Sequence, residues 1–137
     1  MGAEPETIRV LIADDCPQVR ESLQALLETL EGITVVGQAR DGQEAVAMAA
    51  SLRPQVVVMD LEMPGTDGLA ATSLVKAGSW QPAIIVLTIH AQPWAQAQAL
   101  QAGADAFVSK SAMPEVLIQS IRRVASHHAR PEPRSPD

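Results

Sequence analysis

The stretch QVVVMDLEMPGTDG, Gln55 to Gly68, decides the fold. It opens with an unbroken apolar run, Val56 to Met59, that stops on Asp60. A short run without polar alternation marks a strand buried on both faces, the habit of a parallel sheet. A strand is therefore expected over Gln55–Asp60. Met63 to Gly68 (MPGTDG) is dense in turn residues and reads as a loop.

The same grammar repeats on either side. Upstream, Ile8 to Ala13 (IRVLIA) is a β-branched run that stops at Asp14-Asp15. Pro17 suits the first position of a helix. Val19, Leu23, Leu26, Leu27 and Leu30 follow at helical spacing, and Gly32 is expected to close that helix. Ile33 to Ala39 (ITVVGQA) reads as another strand. Asp41 is a candidate N-cap for the Ala-rich helix Gly42 to Leu52, broken at Arg53-Pro54.

Downstream, a helix is expected over about Leu69 to Ala77, a strand over Ala83 to Thr88, and a helix over Gln92 to Ala102 stopped by Gly103. A short strand, Ala106 to Ser109, precedes a final helix, Pro114 to about Ser126. That helix is expected to turn Leu117, Ile118, Ile121 and Val124 or Ala125 inward. Strand and helix thus alternate five times. Such alternation predicts an α/β fold with a five-stranded, doubly wound parallel sheet, order 2-1-3-4-5, of the flavodoxin-like (βα)5 type.

The 137 residues suffice for one domain. Residues 1–7 are expected as an N-terminal extension and residues 8–126 as the folded domain. Residues 127–137 (HHARPEPRSPD), rich in Pro and charge, are expected as a linker or disordered tail. The chain is 47% hydrophobic but only 2% aromatic, so its core is aliphatic. A net charge of −6 argues against nucleic-acid binding by this segment. Cys16 is the sole cysteine and excludes an intramolecular disulfide. No signal-peptide pattern or run of about 20 apolar residues is present, so a cytoplasmic chain with no membrane partner is expected.

In such a sheet, ligands bind beyond the carboxyl ends of the strands, at the switch point between strands 1 and 3. Strand 1 delivers Asp14 and Asp15 there, strand 3 Asp60, strand 4 Thr88 and strand 5 Lys110. Gathered carboxylates repel, at a cost of about 4 kcal/mol for two at about 4 Å and an effective dielectric of 20. An all-oxygen set of this kind suits Mg²⁺. A carboxylate can also be the nucleophile of a phosphoryl transfer, with a lysine and a hydroxyl to hold the phosphate oxygens.

These pieces in this order resemble the response regulator receiver domain of two-component signalling. They are Asp14-Asp15, the segment MDLEMPGTDG at Met59 to Gly68, Thr88 after an apolar strand, and AGADAFVSK at Ala102 to Lys110. The resemblance spans about Arg9 to Val124. It implies that Asp60 is the phosphoacceptor, and that Asp15, Asp60 and the backbone carbonyl of Glu62 ligate Mg²⁺, with Asp14 acting through water. It implies that Thr88 and Lys110 hold phosphate oxygens and that Phe107 is the switch aromatic, coupled to Thr88. Glu62 and His90 occupy the positions that tune phosphate lifetime. A sensor histidine kinase is the implied donor, and a phosphorylation-dependent homodimer is an implied state. Autocatalytic phosphorylation with slow self-dephosphorylation is expected, rather than turnover enzymology.

Wording around strands 4 and 5 is most similar to receivers of helix-turn-helix transcription regulators. Contact with DNA would then pass through an output domain absent from this chain. Lys110-Ser111 departs from the family habit of proline after the lysine, so the cis or trans state of that bond stays open. Two other readings compete: a phosphatase using Glu62 as general acid, and a pseudo-receiver that only binds proteins.

Overall fold

The computed structural model describes residues 7–63, 65, 67–89 and 92–128. The strands are β1 (Ile8–Ala13), β2 (Ile33–Ala39), β3 (Val56–Met59), β4 (Ala83–Thr88) and β5 (Ala106–Ser109). Between and after them come α1 (Pro17–Glu28), α2 (Gly42–Leu52), α3 (Gly68–Lys76), α4 (Pro93–Ala102) and α5 (Glu115–His128). All strand pairs are parallel and the order is β2-β1-β3-β4-β5, as the alternation predicts.

Period-two alternation sorts the strand side chains into two cores. Val10, Ile12, Val56, Val58, Ile85 and Leu87 pack with Leu23 and Leu27 of α1 and Leu117 and Ile121 of α5. Leu11, Val57, Met59, Ile84 and Val86 pack with Ala45, Ala49, Ala71, Val75 and Ala99 of α2, α3 and α4. The strand runs lack polar alternation because both faces are covered.

Local chemistry explains the boundaries. Asp41 accepts the Glu44 amide at 2.8 Å, and Asp67 accepts the Ala70 amide at 2.9 Å, so both are N-caps. Gly103 ends α4 with φ +112°. The expected end of the first helix at Gly32 is corrected: α1 stops at Glu28. The Thr29 hydroxyl donates to the Leu26 carbonyl at 2.6 Å, the Thr29 amide donates to the same carbonyl at 3.2 Å, and the Leu30 amide donates to the Leu27 carbonyl at 3.1 Å. Gly32, at φ +83°, lies instead in the turn feeding β2.

The β1–β2 pairing carries an irregularity that periodicity does not announce. Val10 faces Val35, but Leu11 faces Gly37, so β2 holds one extra residue. At the far end, α5 continues through His127 and His128, since no helix breaker precedes Pro131. Lys110–Ala112 form a 3-10 turn between β5 and α5. The cis peptide among the described residues joins Met113 to Pro114, so the Lys110–Ser111 bond is trans. No described helix is long and apolar enough to cross a membrane.

Candidate functional site

The register of β1 with β3 builds the site. Ala13 pairs with Met59, so the next residues, Asp14 and Asp60, leave adjacent strands at the same level. The Asp60 amide donates to the Ala13 carbonyl at 2.9 Å, and the Asp14 amide to the Ala39 carbonyl at 3.1 Å. Each carboxylate therefore springs from the last hydrogen-bonded rung of the sheet. Carboxylate oxygens of Asp14, Asp15 and Asp60 all lie within 4.8 Å of one another. Asp14 and Asp60 are buried and Asp15 is exposed.

Lys110 reaches in from the end of β5. Its Nζ lies 3.1 Å from Asp14 Oδ2 and 3.9 Å from Asp60 Oδ2. The other Asp14 oxygen accepts the Cys16 amide at 2.9 Å. Burial pushes the Asp60 carboxyl up to about 6 from its ordinary 3.8. The Lys110 ammonium opposes that rise, Asp14 adds to it, a hydrogen bond from the Glu62 backbone opposes it, and Asp15 adds the smallest push.

Gly68 lets the β3–α3 loop fold back on this edge. A Cβ there would stand 2.1 Å from the Asp60 carbonyl oxygen and 2.7 Å from Leu61 Cα. The Gly68 amide donates to the Leu61 carbonyl at 2.9 Å. The phosphoacceptor candidate thus has backbone packed directly behind it.

Thr88 ends β4, fully buried, and pairs in register with Ser109. Phe107 pairs with Val86, two residues back along the same two strands. Alternation puts the Thr88 and Phe107 side chains on one face of the sheet. The Phe107 ring is half-buried against the core shared with α2, α3 and α4. The Glu62 side chain is exposed. His90 lies outside the described residues.

The structure therefore brings Asp14, Asp15, Asp60 and Lys110 together, with Thr88 at the end of the next strand. Sequence reasoning missed Arg20, whose guanidinium donates to the Asp14 carbonyl at 2.7 Å. Its signal was faint: a lone arginine in the first turn of a helix that follows an acidic pair.

Three carboxylates against one ammonium leave excess negative charge when all are ionised. A hard, all-oxygen donor set of this size fits Mg²⁺, which takes few carboxylates and keeps several waters.

A doubly wound sheet of this order, with an acidic pocket at the β1–β3 switch point and a lysine arriving from β5, defines a receiver-type signalling domain. The chain belongs to the response regulator receiver domain family, whose model matches residues 10–122. It is 40% identical over 119 residues to the response regulator UvrY of Escherichia coli (strain K12), covering 87% of this chain and 55% of that protein. It is 37% identical over 117 residues to the response regulator GacA of Pseudomonas aeruginosa, with 85% and 55% coverage. The chain thus spans about half the length of these relatives.

Among solved structures, it is similar to the signal receiver domain of the putative response regulator NarL from Mycobacterium tuberculosis. That match has a TM-score of 0.85 and 30% identity, with 89% of this chain and 98% of the other covered. A LuxR-family two-component response regulator from Aurantimonas sp. SI85-9A1 matches with a TM-score of 0.85 and 33% identity, with 96% and 90% coverage.

Proposed function

We propose that this domain is a phosphorylation-controlled switch in which Asp60 accepts a phosphoryl group from a sensor histidine kinase. The observation that carries the reading is the grouping of Asp14, Asp15 and Asp60 within 4.8 Å, with Lys110 Nζ 3.9 Å from Asp60. An Asp60 oxygen attacks phosphorus; the phosphorus–nitrogen bond of the phosphohistidine breaks, the imidazole departs, and an acyl phosphate forms. A small phosphodonor serves the same chemistry. A carboxyl pushed up to about 6 is mostly ionised at pH 7 yet more basic than an ordinary one, which suits a nucleophile.

Asp15, Asp60 and the Glu62 carbonyl would hold Mg²⁺ directly, and Asp14 through water. Bound there, the ion would supply positive charge to the phosphoryl oxygens. Lys110, now held mainly by Asp14, and Thr88 hold oxygens of the transferred group. Because Thr88 and Phe107 share a sheet face, a shift of Thr88 toward the phosphoryl group opens room for the ring to turn inward. A bias of about 1–3 kcal/mol suffices for such a switch. Water then hydrolyses the acyl phosphate slowly, with Glu62 and His90 tuning the lifetime, so the domain is a timed acceptor rather than a turnover enzyme.

As part of the same proposal, the domain acts in transcription regulation in the cytoplasm, with DNA contacted through an output domain and phosphorylation favouring a homodimer; its similarity to a LuxR-family two-component response regulator supports the regulatory role. The test is intact mass after mixing with Mg²⁺ and a small phosphodonor. One added phosphoryl group is expected, lost in chelator and absent from Asp60→Asn. A gain that persists in that variant overturns the assignment.

A further inference from the structure

Asp15 is the exposed member of the acidic set, and among the described residues no hydrogen bond or ion pair reaches its carboxylate. Its place is therefore set by the backbone that carries it. That backbone is the peptide joining Asp14 to Asp15, whose carbonyl oxygen belongs to Asp14. Arg20 Nη1 donates to this oxygen at 2.7 Å. The guanidinium is itself held: Nε donates to Gln38 Oε1 at 3.1 Å, and Gln38 Nε2 donates to Gln24 Oε1 at 2.5 Å.

The chain of bonds joins three rigid parts. Arg20 and Gln24 stand one turn apart on α1, and Gln38 lies in β2, in register with Ile12 of β1. Both Arg20 and Gln38 are half-buried, so the fork is fixed by packing as well as by bonding. A planar guanidinium with several donors can tie two acceptors at once, which an ammonium on a flexible stem does less well.

We infer that Arg20 is a positioning residue for the acidic pocket: it locks the Asp14–Asp15 peptide, and through it the Asp15 carboxylate, in the orientation that receives the cation. The inference rests on the Mg²⁺-dependent reading of the site and adds the device that keeps its least tethered ligand in place. Outer partners that orient a ligand typically contribute 10–100-fold to metal affinity.

The test is a Mg²⁺ titration of wild type, Arg20→Lys, Arg20→Met and Gln38→Ala. It is read two ways: by the shift of the urea midpoint with Mg²⁺, and by the rate of phosphoryl gain from a small phosphodonor. Arg20→Met should raise the half-saturating Mg²⁺ concentration about 10-fold in both readouts, with the rate recovered at saturating Mg²⁺. Arg20→Lys should fall between wild type and Met, and Gln38→Ala should shift the midpoint in the same direction by less. Gln38→Ala keeps the test decisive if Arg20→Met fails to fold. Variants that lose stability yet keep the wild-type Mg²⁺ midpoint would overturn the inference and leave the proposed function standing. A wild-type chain that neither responds to Mg²⁺ nor gains a phosphoryl group would overturn both.

Discussion

Replacing Asp60 by asparagine should make the metal-free domain more stable at neutral pH, although it removes the group on which the proposed function depends. Asp60 is 8% exposed, with Asp14 and Asp15 beside it, and its carboxyl is pushed up to about 6 from 3.8. Burial is the largest cause, and the Lys110 ammonium only partly offsets it. Between pH 3.8 and about 6 the folded state binds more protons than the unfolded state, so stability falls as pH rises through that window. Above it, the whole penalty of holding the ionised form is present. A shift of about two units corresponds to roughly 3 kcal/mol, an upper limit for what the neutral isostere recovers.

Urea unfolding in chelator at pH 7.5 and pH 4 measures this. With a slope of about 1–3 kcal/mol/M for a small domain, the Asn midpoint should lie above wild type at pH 7.5 by up to about 1–3 M. At pH 4 the two midpoints should nearly coincide, because both side chains are then largely neutral in the folded state. Saturating Mg²⁺ should shrink the pH 7.5 gap, since a ligand of the folded state stabilises the wild type by mass action. An Asn variant no more stable than wild type at pH 7.5, or a gap indifferent to pH, would refute the electrostatic account of the pocket.

Lys110→Ala should raise the Asp60 carboxyl further above about 6, because Lys110 is the largest influence holding it down. It also leaves the buried Asp14 without its partner at 3.1 Å. Titration of the Asp60 side-chain carbon by NMR reports the first effect, and an unchanged or lower titration point would contradict it. Gly68→Ala should destabilise the domain by about 1–3 kcal/mol or more, since its Cβ would fall 2.1 Å from the Asp60 carbonyl oxygen and the obstacle is backbone. A urea midpoint within error of wild type would show that the loop has room it does not display.

Much of this molecule was open to reading along the chain. The strand runs IRVLIA and AIIVLT carry their class in uninterrupted β-branched and aliphatic residues, and both appear with the expected bounds. Asp41 announces a helix start because capping is a bond over three residues, and Asp67, read along the chain only as part of a loop, caps α3 in the same way. The end of α1 was missed because the Thr29 hydroxyl and amide take the Leu26 carbonyl, and the Leu30 amide the Leu27 carbonyl, before Gly32 is reached. The extra residue in β2 was hidden because a bulge is a property of two strands, and only one of them is visible in any local window.

The site divides along the same line. That Asp14, Asp15, Asp60, Thr88 and Lys110 arrive at one edge follows from sequence alone, since five parallel βα units present the ends of their strands on one side. Where each group stands within that edge does not follow. Lys110 lies closer to Asp14 than to Asp60, across 96 residues of sequence, although β3, which carries Asp60, stands between β1 and β5 in the sheet. The raised Asp60 carboxyl, the backbone pressed against Gly68 and the Arg20 bond to the Asp14 carbonyl are likewise tertiary facts. Periodicity decides which residues share a face; distances between charges on different elements exist only once the sheet has assembled and closed water out.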